Sequence, residues 1–276
     1  MIPKVNFCGV EISRLIVGGN TISGTSHVSK ELDAEMEDYF TTQKVKEMLF
    51  RCREYGINTM QLRADKHIVR IIREFRLEGG NMHWIAQHAR EFGSFEGNVG
   101  MITAYKPALM YLHGYVGDEL FIRGAFDEIK NMLGIMKKTG IPVGLCTHMP
   151  EVIEYSEMHR WDVDFYMCSI YNILVPERVA QSRKDGNEDA LFIASDIPVM
   201  YEAIRSVDKP CLAFKILGST RRCQTQDMVA QAFDECYASI KEGDAAIVGM
   251  FPKSIDEVKL NAGYAAEAIK KAGRTK

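Results

Sequence analysis

Short apolar runs alternate with amphipathic stretches from one end of this chain to the other, and the alternation repeats eight times. Residues 10–19, 58–62, 82–87, 108–113, 142–146, 165–170, 211–217 and 245–250 read as strands, because each is a brief, largely uncharged apolar run. Between the first two, Val45, Met48, Leu49 and Cys52 recur at helical spacing over residues 42–55, and Gly56 takes the place of a helix-ending glycine. Further helices are predicted at 67–75, 124–139, 150–159, 198–207 and 255–271, with the link from 87 to 108 poor in helix. Residues 172–210 read as a long connection carrying the polar stretch 182–189, and Cys8-Gly9 predicts a small hairpin ahead of the first strand. Strands that are apolar throughout are covered on both faces, which leaves a closed (β/α)8 barrel or an open doubly wound sheet. Gly18-Gly19-Asn20 lacks the GxGxxG spacing of a dinucleotide turn, so the α/β fold expected is a (β/α)8 TIM barrel, a single domain over residues 1–276.

Composition excludes several classes of partner. The formal net charge is −3 and Lys and Arg are scattered, so no nucleic-acid surface is expected; Arg221-Arg222 reads as solvated surface. No stretch approaches the roughly 20 apolar residues of a membrane span, and residues 1–6 carry no signal-peptide core. Seven cysteines without a CxxC pair argue against a zinc ribbon, a cluster or a disulfide framework, and a reducing cytoplasm is the expected location.

In a barrel the working groups stand at the C-terminal ends of the strands. That rule selects His113, His148 and Lys215 as candidate catalytic groups and Asn20, Gln61, Arg63, Gln87, Tyr171 and Asn172 as candidate substrate contacts. His113 closes an apolar strand, where an imidazole needs a partner or a ligand; hydrogen bonding as a structural histidine is the alternative. His148 is expected at the mouth as an acid–base partner of His113 or a metal ligand, or else as the cap of the helix starting at Pro150. Lys215, inside an apolar run, is expected to lose proton affinity by burial, toward an electrostatic or nucleophilic role. Arg63 is read either as a mouth cation or as the surface partner of Asp65, and Tyr111 as core. The Ser/Thr/Gly-rich stretch from Asn20 to Asp33 is expected to be a loop, able to fold over the mouth.

Five segments resemble the aldo/keto reductase superfamily across nearly the whole chain: Gly9-Val10-Glu11-Ile12-Ser13-Arg14-Leu15 with Gly18-Gly19; Tyr55-Gly56-Ile57-Asn58; Tyr111-Leu112-His113; Gly144-Leu145-Cys146-Thr147-His148; and Ala246-Ile247-Val248-Gly249-Met250 running through Glu257-Val258 to Asn261-Ala262. Lys215-Ile216-Leu217-Gly218 is similar to the strand-seven ending of the branch with ferredoxin-like extensions. Such reductases use an Asp, Tyr, Lys and His tetrad beneath a nicotinamide. Aligned on Gly56-Ile57-Asn58, this chain has Gln61 at the aspartate, Lys66 near the tyrosine and Gln87 at the lysine, and only His113 remains. Without the tuned acid, hydride transfer would forgo the roughly 10²–10⁴-fold that general acid catalysis supplies. For the cofactor, the resemblance gives Lys253 and Ser254 to the adenosine phosphate of NADP; the competing reading is a Ser254 cap with Glu257 three residues on.

The expectation is therefore an enzyme on a reductase-like barrel that has left hydride transfer, a lyase, isomerase or hydrolase using acid–base or metal-assisted chemistry on a small polar sugar-like or carbonyl substrate. An NADP-dependent reductase with an altered site and a non-catalytic binding scaffold are the alternatives. A divalent metal is a further possible cofactor, although no HxH or HxxxH pair with a nearby carboxylate is present.

Overall fold

The computed structural model describes residues 1–273. Two antiparallel strands, β1 (Lys4–Phe7) and β2 (Val10–Ser13), form the expected hairpin. Eight parallel strands then close on themselves: β3 (Leu15–Gly18), β4 (Thr59–Arg63), β5 (His83–Gln87), β6 (Leu109–Leu112), β7 (Val143–Thr147), β8 (Phe165–Ser169), β9 (Cys211–Phe214) and β10 (Ala245–Gly249), with β10 returning to pair with β3. The fold is the TIM barrel that the alternation predicts.

The first apolar run divides, contrary to its reading as one strand. Arg14 breaks it: its amide bonds Pro3 and its guanidinium reaches the carbonyl oxygens of Asp244 and Lys241, while Asn58 receives the Ser13 amide at 2.6 Å. The break turns β2 beneath the barrel. Phe7 and Ile12 of the hairpin share one core with inward residues of the strands, such as Ile16, Ile85, Leu109, Phe165 and Leu212. The hairpin thus plugs the N-terminal end, and Phe7 meets Phe165 edge-on at 5.4 Å.

The helices are α1 (Lys30–Tyr39), α2 (Thr42–Glu54), α3 (Lys66–Leu77), α4 (Phe95–Ala104), α5 (Gly114–Ile122), α6 (Phe126–Lys137), α7 (Pro150–Met158), α8 (Pro176–Asp185), α9 (Asp196–Ser206), α10 (Gln226–Ser239) and α11 (Glu257–Ala272). α2 and α3, each with a clear apolar stripe, fall where the spacing puts them. α10 carries such a stripe too, in Val229, Ala232, Phe233, Cys236 and Tyr237, and the sequence reading misses it; α1, α4, α5 and α8 lack the signals. α4 and α5 each carry two glycines, which lower helix propensity by about 1 kcal/mol apiece. α8 buries only Ser182, so no stripe marks it, and α1 buries only Met36. α1 is held instead by its caps: Ser29 accepts the Leu32 amide and the Phe40 amide closes on Met36.

Gly144 is where the barrel needs a missing side chain. A Cβ built there would lie 2.3 Å from the ring of Phe165, itself fully buried. Gly144→Ala is expected to destabilise the protein by about 1–3 kcal/mol through forced repacking. Urea unfolding checks this, and an unchanged midpoint would show that the ring yields freely.

Candidate active site

Side chains of a strand alternate faces, so the inward positions of β4 through β7 continue upward into the last layer at the open end. That layer is Gln61 and Arg63 from β4, Gln87 from β5, Tyr111 with His113 from β6, and Cys146 with His148 from β7. Together with the loops after β3, β9 and β10 they line a cavity of about 540 Å³.

The floor is a neutral cluster. Gln61 donates to the Tyr111 hydroxyl at 2.7 Å and to Gln87 Oε1 at 3.2 Å, and Tyr111 donates to the same Gln87 oxygen at 2.9 Å. Tyr111 is thus a polar member of the floor as well as core, and burial pushes its phenol well above the usual range. Burial also raises the Cys146 thiol, which rules it out as a ready thiolate.

His113 stands above this floor. It is the N-cap of α5, its Nδ1 accepting the Tyr115 amide at 3.1 Å, so a neutral ring carries its proton on Nε2. Burial first, then the nearby Arg90, lowers its pKa to about 3. The ring is a neutral hydrogen-bond donor at any ordinary pH.

His148 does not cap α7, whose N-cap is Met149 with no side-chain bond. Its partner is Asp118 of α5, fully buried, which accepts the Thr147 hydroxyl, the His148 amide at 2.9 Å and His148 Nδ1 at 2.8 Å. A carboxylate only accepts, so Nδ1 holds a proton, and in the neutral ring Nε2 is the lone-pair nitrogen, with no protein partner among the described residues. This is the orienting relation between an acid and an imidazole that general-base catalysis uses.

Lys215 is not inside the strand, as its apolar surroundings suggested: β9 ends at Phe214. Strand alternation would send residue 215 outward, like Ala213. A left-handed backbone, φ 63°, instead turns it into the cavity, where burial lowers its pKa to about 8. His27, from the loop after β3, approaches its Nζ at 2.9 Å, and Glu188 binds the other ring nitrogen of His27 at 2.6 Å.

The remaining candidates divide. Asn20 lines the cavity, and Arg63 does so while paired with Glu91 and Asp65. Tyr171 and Asn172 lie outside it. The chain turns after β8, burying Tyr171 against Phe192, and Asn172 binds the Asp196 carboxylate through its amide. Lys253 and Ser254 also lie outside the cavity wall; Lys253 is exposed and paired with Glu35 at 2.7 Å. The Ser254 cap does not form, because Asp256 caps α11 and Glu257 accepts the Phe251 amide. The residues that the resemblance gives to NADP therefore do not meet in this cavity. No three His, Cys, Asp or Glu side chains among the described residues are arranged to hold a metal ion.

His27, Asp118 and Glu188 carry no local sequence signal. Each belongs to a segment that reads as loop or lacks an apolar stripe, and only the barrel's closure brings it to the mouth.

Compared by sequence, the chain matches no family profile and no curated protein. By fold it is similar to the aldo-keto reductase AKR11C1 from Bacillus halodurans in its holo form (14% identity, 99% of this chain and 96% of that one, TM-score 0.57). It is similar also to a truncated 3-deoxy-D-arabino-heptulosonate 7-phosphate synthase from Thermotoga maritima (12%, 99% and 92%, TM-score 0.56). A third is orotidine 5'-monophosphate decarboxylase from Methanocaldococcus jannaschii (12%, 98% and 99%, TM-score 0.51). At such identities the likeness establishes the barrel and not the reaction; the aldo/keto reductases are one of several groups sharing it.

His113 should leave a signature in the pH dependence of folding. Its pKa, ordinarily 6.5, is about 3 when folded, so below pH 6.5 the unfolded chain takes up a proton that the folded chain refuses. The stability it contributes is complete above pH 6.5 and drains as pH falls toward 3, by at most about 1.4 kcal/mol per pH unit. Urea midpoints of His113→Asn, which keeps a capping acceptor, should fall less steeply with acid than those of the parent. Parallel slopes would mean that His113 is charged in the fold.

Proposed function

We propose that this chain is an enzyme on an aldo/keto reductase-like barrel that works by proton transfer on a small, polar carbonyl or sugar-like substrate, as a lyase or isomerase. The observation that carries the reading is the pairing, on one cavity, of a lone-pair imidazole backed by a buried carboxylate with a second imidazole held neutral and donating. His148 Nε2, oriented by Asp118, is the base. His113 Nε2–H is the donor for a carbonyl oxygen that gains charge as the adjacent C–H loses its proton.

The rest of the mouth suits the same substrate. Arg90, exposed beside the Tyr115 ring with no acidic partner among the described residues, and Lys215 while its amine is protonated provide positive charge. They favour a carbonyl compound bearing a carboxylate or phosphate. Gln61 and Gln87 offer amides to hydroxyl groups, although each is engaged with Tyr111. The amide floor also supports a reaction other than hydride transfer: Gln61 and Gln87 stand where the resemblance expects an aspartate and a lysine, and neither amide can lower the pKa of a proton-donating tyrosine.

The test is hydrogen exchange. Incubation with a panel of aldoses, ketoses and 2-keto acids in D2O, followed by proton NMR, should show loss of the C–H signal beside the carbonyl of at least one compound. His148→Asn should slow that exchange about 10²–10⁴-fold while circular dichroism stays unchanged. Absence of exchange across the panel, or an undiminished rate in His148→Asn, would overturn the reading.

A further inference from the structure

Lys215, His27 and Glu188 come from three distant stretches of the chain and meet in one line. They stand at the end of β9, in the loop after β3 and in the turn after α8. Lys215 Nζ lies 2.9 Å from His27 Nε2, and His27 Nδ1 lies 2.6 Å from Glu188 Oε2. Because the carboxylate can only accept, Nδ1 carries the ring proton and Nε2 turns its lone pair to the amine.

The line is braced from outside. Both terminal nitrogens of Arg221 bind the His27 carbonyl at 3.2 Å, and the same guanidinium pairs with Asp189 and lies 4.0 Å from the centre of the Phe192 ring. Lys215 Nζ is 5.5 Å from that ring as well. His27 and Lys215 both hold left-handed backbone, at φ 59° and 63°, which a non-glycine residue keeps only where its surroundings impose it. Strain on both sides of one hydrogen bond marks the contact as built.

We infer that His27 and Glu188 are positioning residues, His27 taking the proton that Lys215 sheds as its amine attacks and Glu188 orienting the ring for it, so that the barrel captures aldehydes and ketones covalently as imines. The arrangement is that of a nucleophile, its base and an orienting third group. The inference rests on the place of Lys215 in the proposed carbonyl chemistry and adds the bond that forms. Nζ attacks the carbonyl carbon, a C–N bond forms and the π pair moves to oxygen. His27 Nε2 takes the proton that the nitrogen sheds, Glu188 balances the imidazolium, and the proton passes to the oxygen. Loss of water then breaks the C–O bond, the nitrogen pair closes C=N, and both amine protons leave with the carbonyl oxygen. No electrons change hands.

The charged and titratable groups facing Lys215 set the sign of its response to pH. Burial lowers its pKa to about 8, Arg221 adds to the lowering, and Glu188 and Cys146 oppose it. His27 is itself held below its ordinary value, by burial first and then by Lys215, with His148 adding to the lowering and Glu188 opposing.

Incubating the full chain with glycolaldehyde or pyruvate and sodium cyanoborohydride, then mapping the reduced adduct by peptide mass spectrometry across neutral and alkaline pH, tests this. Lys215 should be labelled ahead of the surface lysines, half-maximally near pH 8. His27→Gln can accept from the amine but not carry its proton, and should slow the plateau rate about 10²-fold. Glu188→Gln removes the charge that raises the Lys215 pKa, so its midpoint should move to lower pH while the plateau falls. A midpoint rising toward that of an ordinary lysine would show a merely structural role and overturn the inference, as would parental plateau rates in both variants. Proton exchange without any adduct at Lys215 would sink the imine and leave the proposed function standing, whereas an adduct without exchange would do the reverse.

Discussion

The ladder that closes β10 onto β3 fixes which side chains can reach the mouth. Eight parallel strands in a closed ring leave each residue either inward or outward, and the hairpin under Phe7 and Ile12 fills one end of the interior. What remains open is the other end, where the last inward layer has no further layer to pack against. Polar residues there meet a cavity rather than a sealed core. Gln61, Arg63, Gln87, His113 and His148 share that cavity because their strands obey one parity, although 86 residues lie between the first and the last in sequence.

Parity also explains how charge is distributed in the site. A carboxylate and a lysine on the floor would each lose hydration on burial and would have to recover it from one another. The amides of Gln61 and Gln87 avoid that cost, since they and the Tyr111 hydroxyl satisfy one another within 3.2 Å. The ionisable groups stand higher: Asp118 behind His148, and Glu188 behind His27, in each case a carboxylate on one ring nitrogen leaving the other for a partner. A neutral floor beneath two oriented imidazoles is suited to moving protons on a substrate lying across it.

Much of this was legible in the sequence, and the exceptions have physical causes. Strand alternation is a local pattern, so the barrel and the inward positions of His113 and His148 follow from it. Lys215 was legible as a candidate but for an incomplete reason: burial does lower its pKa, yet it reaches the cavity through a left-handed turn that no periodicity encodes. Tyr171 and Asn172 fail in the opposite way: the chain turns at once after β8 and takes Tyr171 out of the parity that would have aimed it inward, and Asn172 has the outward parity from the start. Lys253 and Ser254 belong to a loop whose bonds run to Glu35 and to the α11 cap rather than to the cavity. His27 and Glu188 could not be found at all from spacing, since 160 residues lie between them and neither belongs to a regular element.

The long connection between β8 and β9 is therefore more than a spacer. Its α8 has little apolar surface to bury, so packing alone gives that helix little reason to stay. It is tied down by specific polar bonds instead, Arg178 to Asp196 and Arg221 to Asp189, with Phe192 beneath the second. Those bonds place Glu188, and Glu188 fixes which nitrogen of His27 faces Lys215. α8 and the turn after it, held by polar contacts, open more readily than a core helix because water can replace each contact, whereas α9 of the same connection buries Ile197, Met200, Tyr201 and Ile204. The tautomer at His27 thus depends on a carboxylate that this segment supplies, and the same carboxylate raises the proton affinity of Lys215 against its burial. The group with the most perturbed amine chemistry in the barrel is governed by one of its least apolar segments.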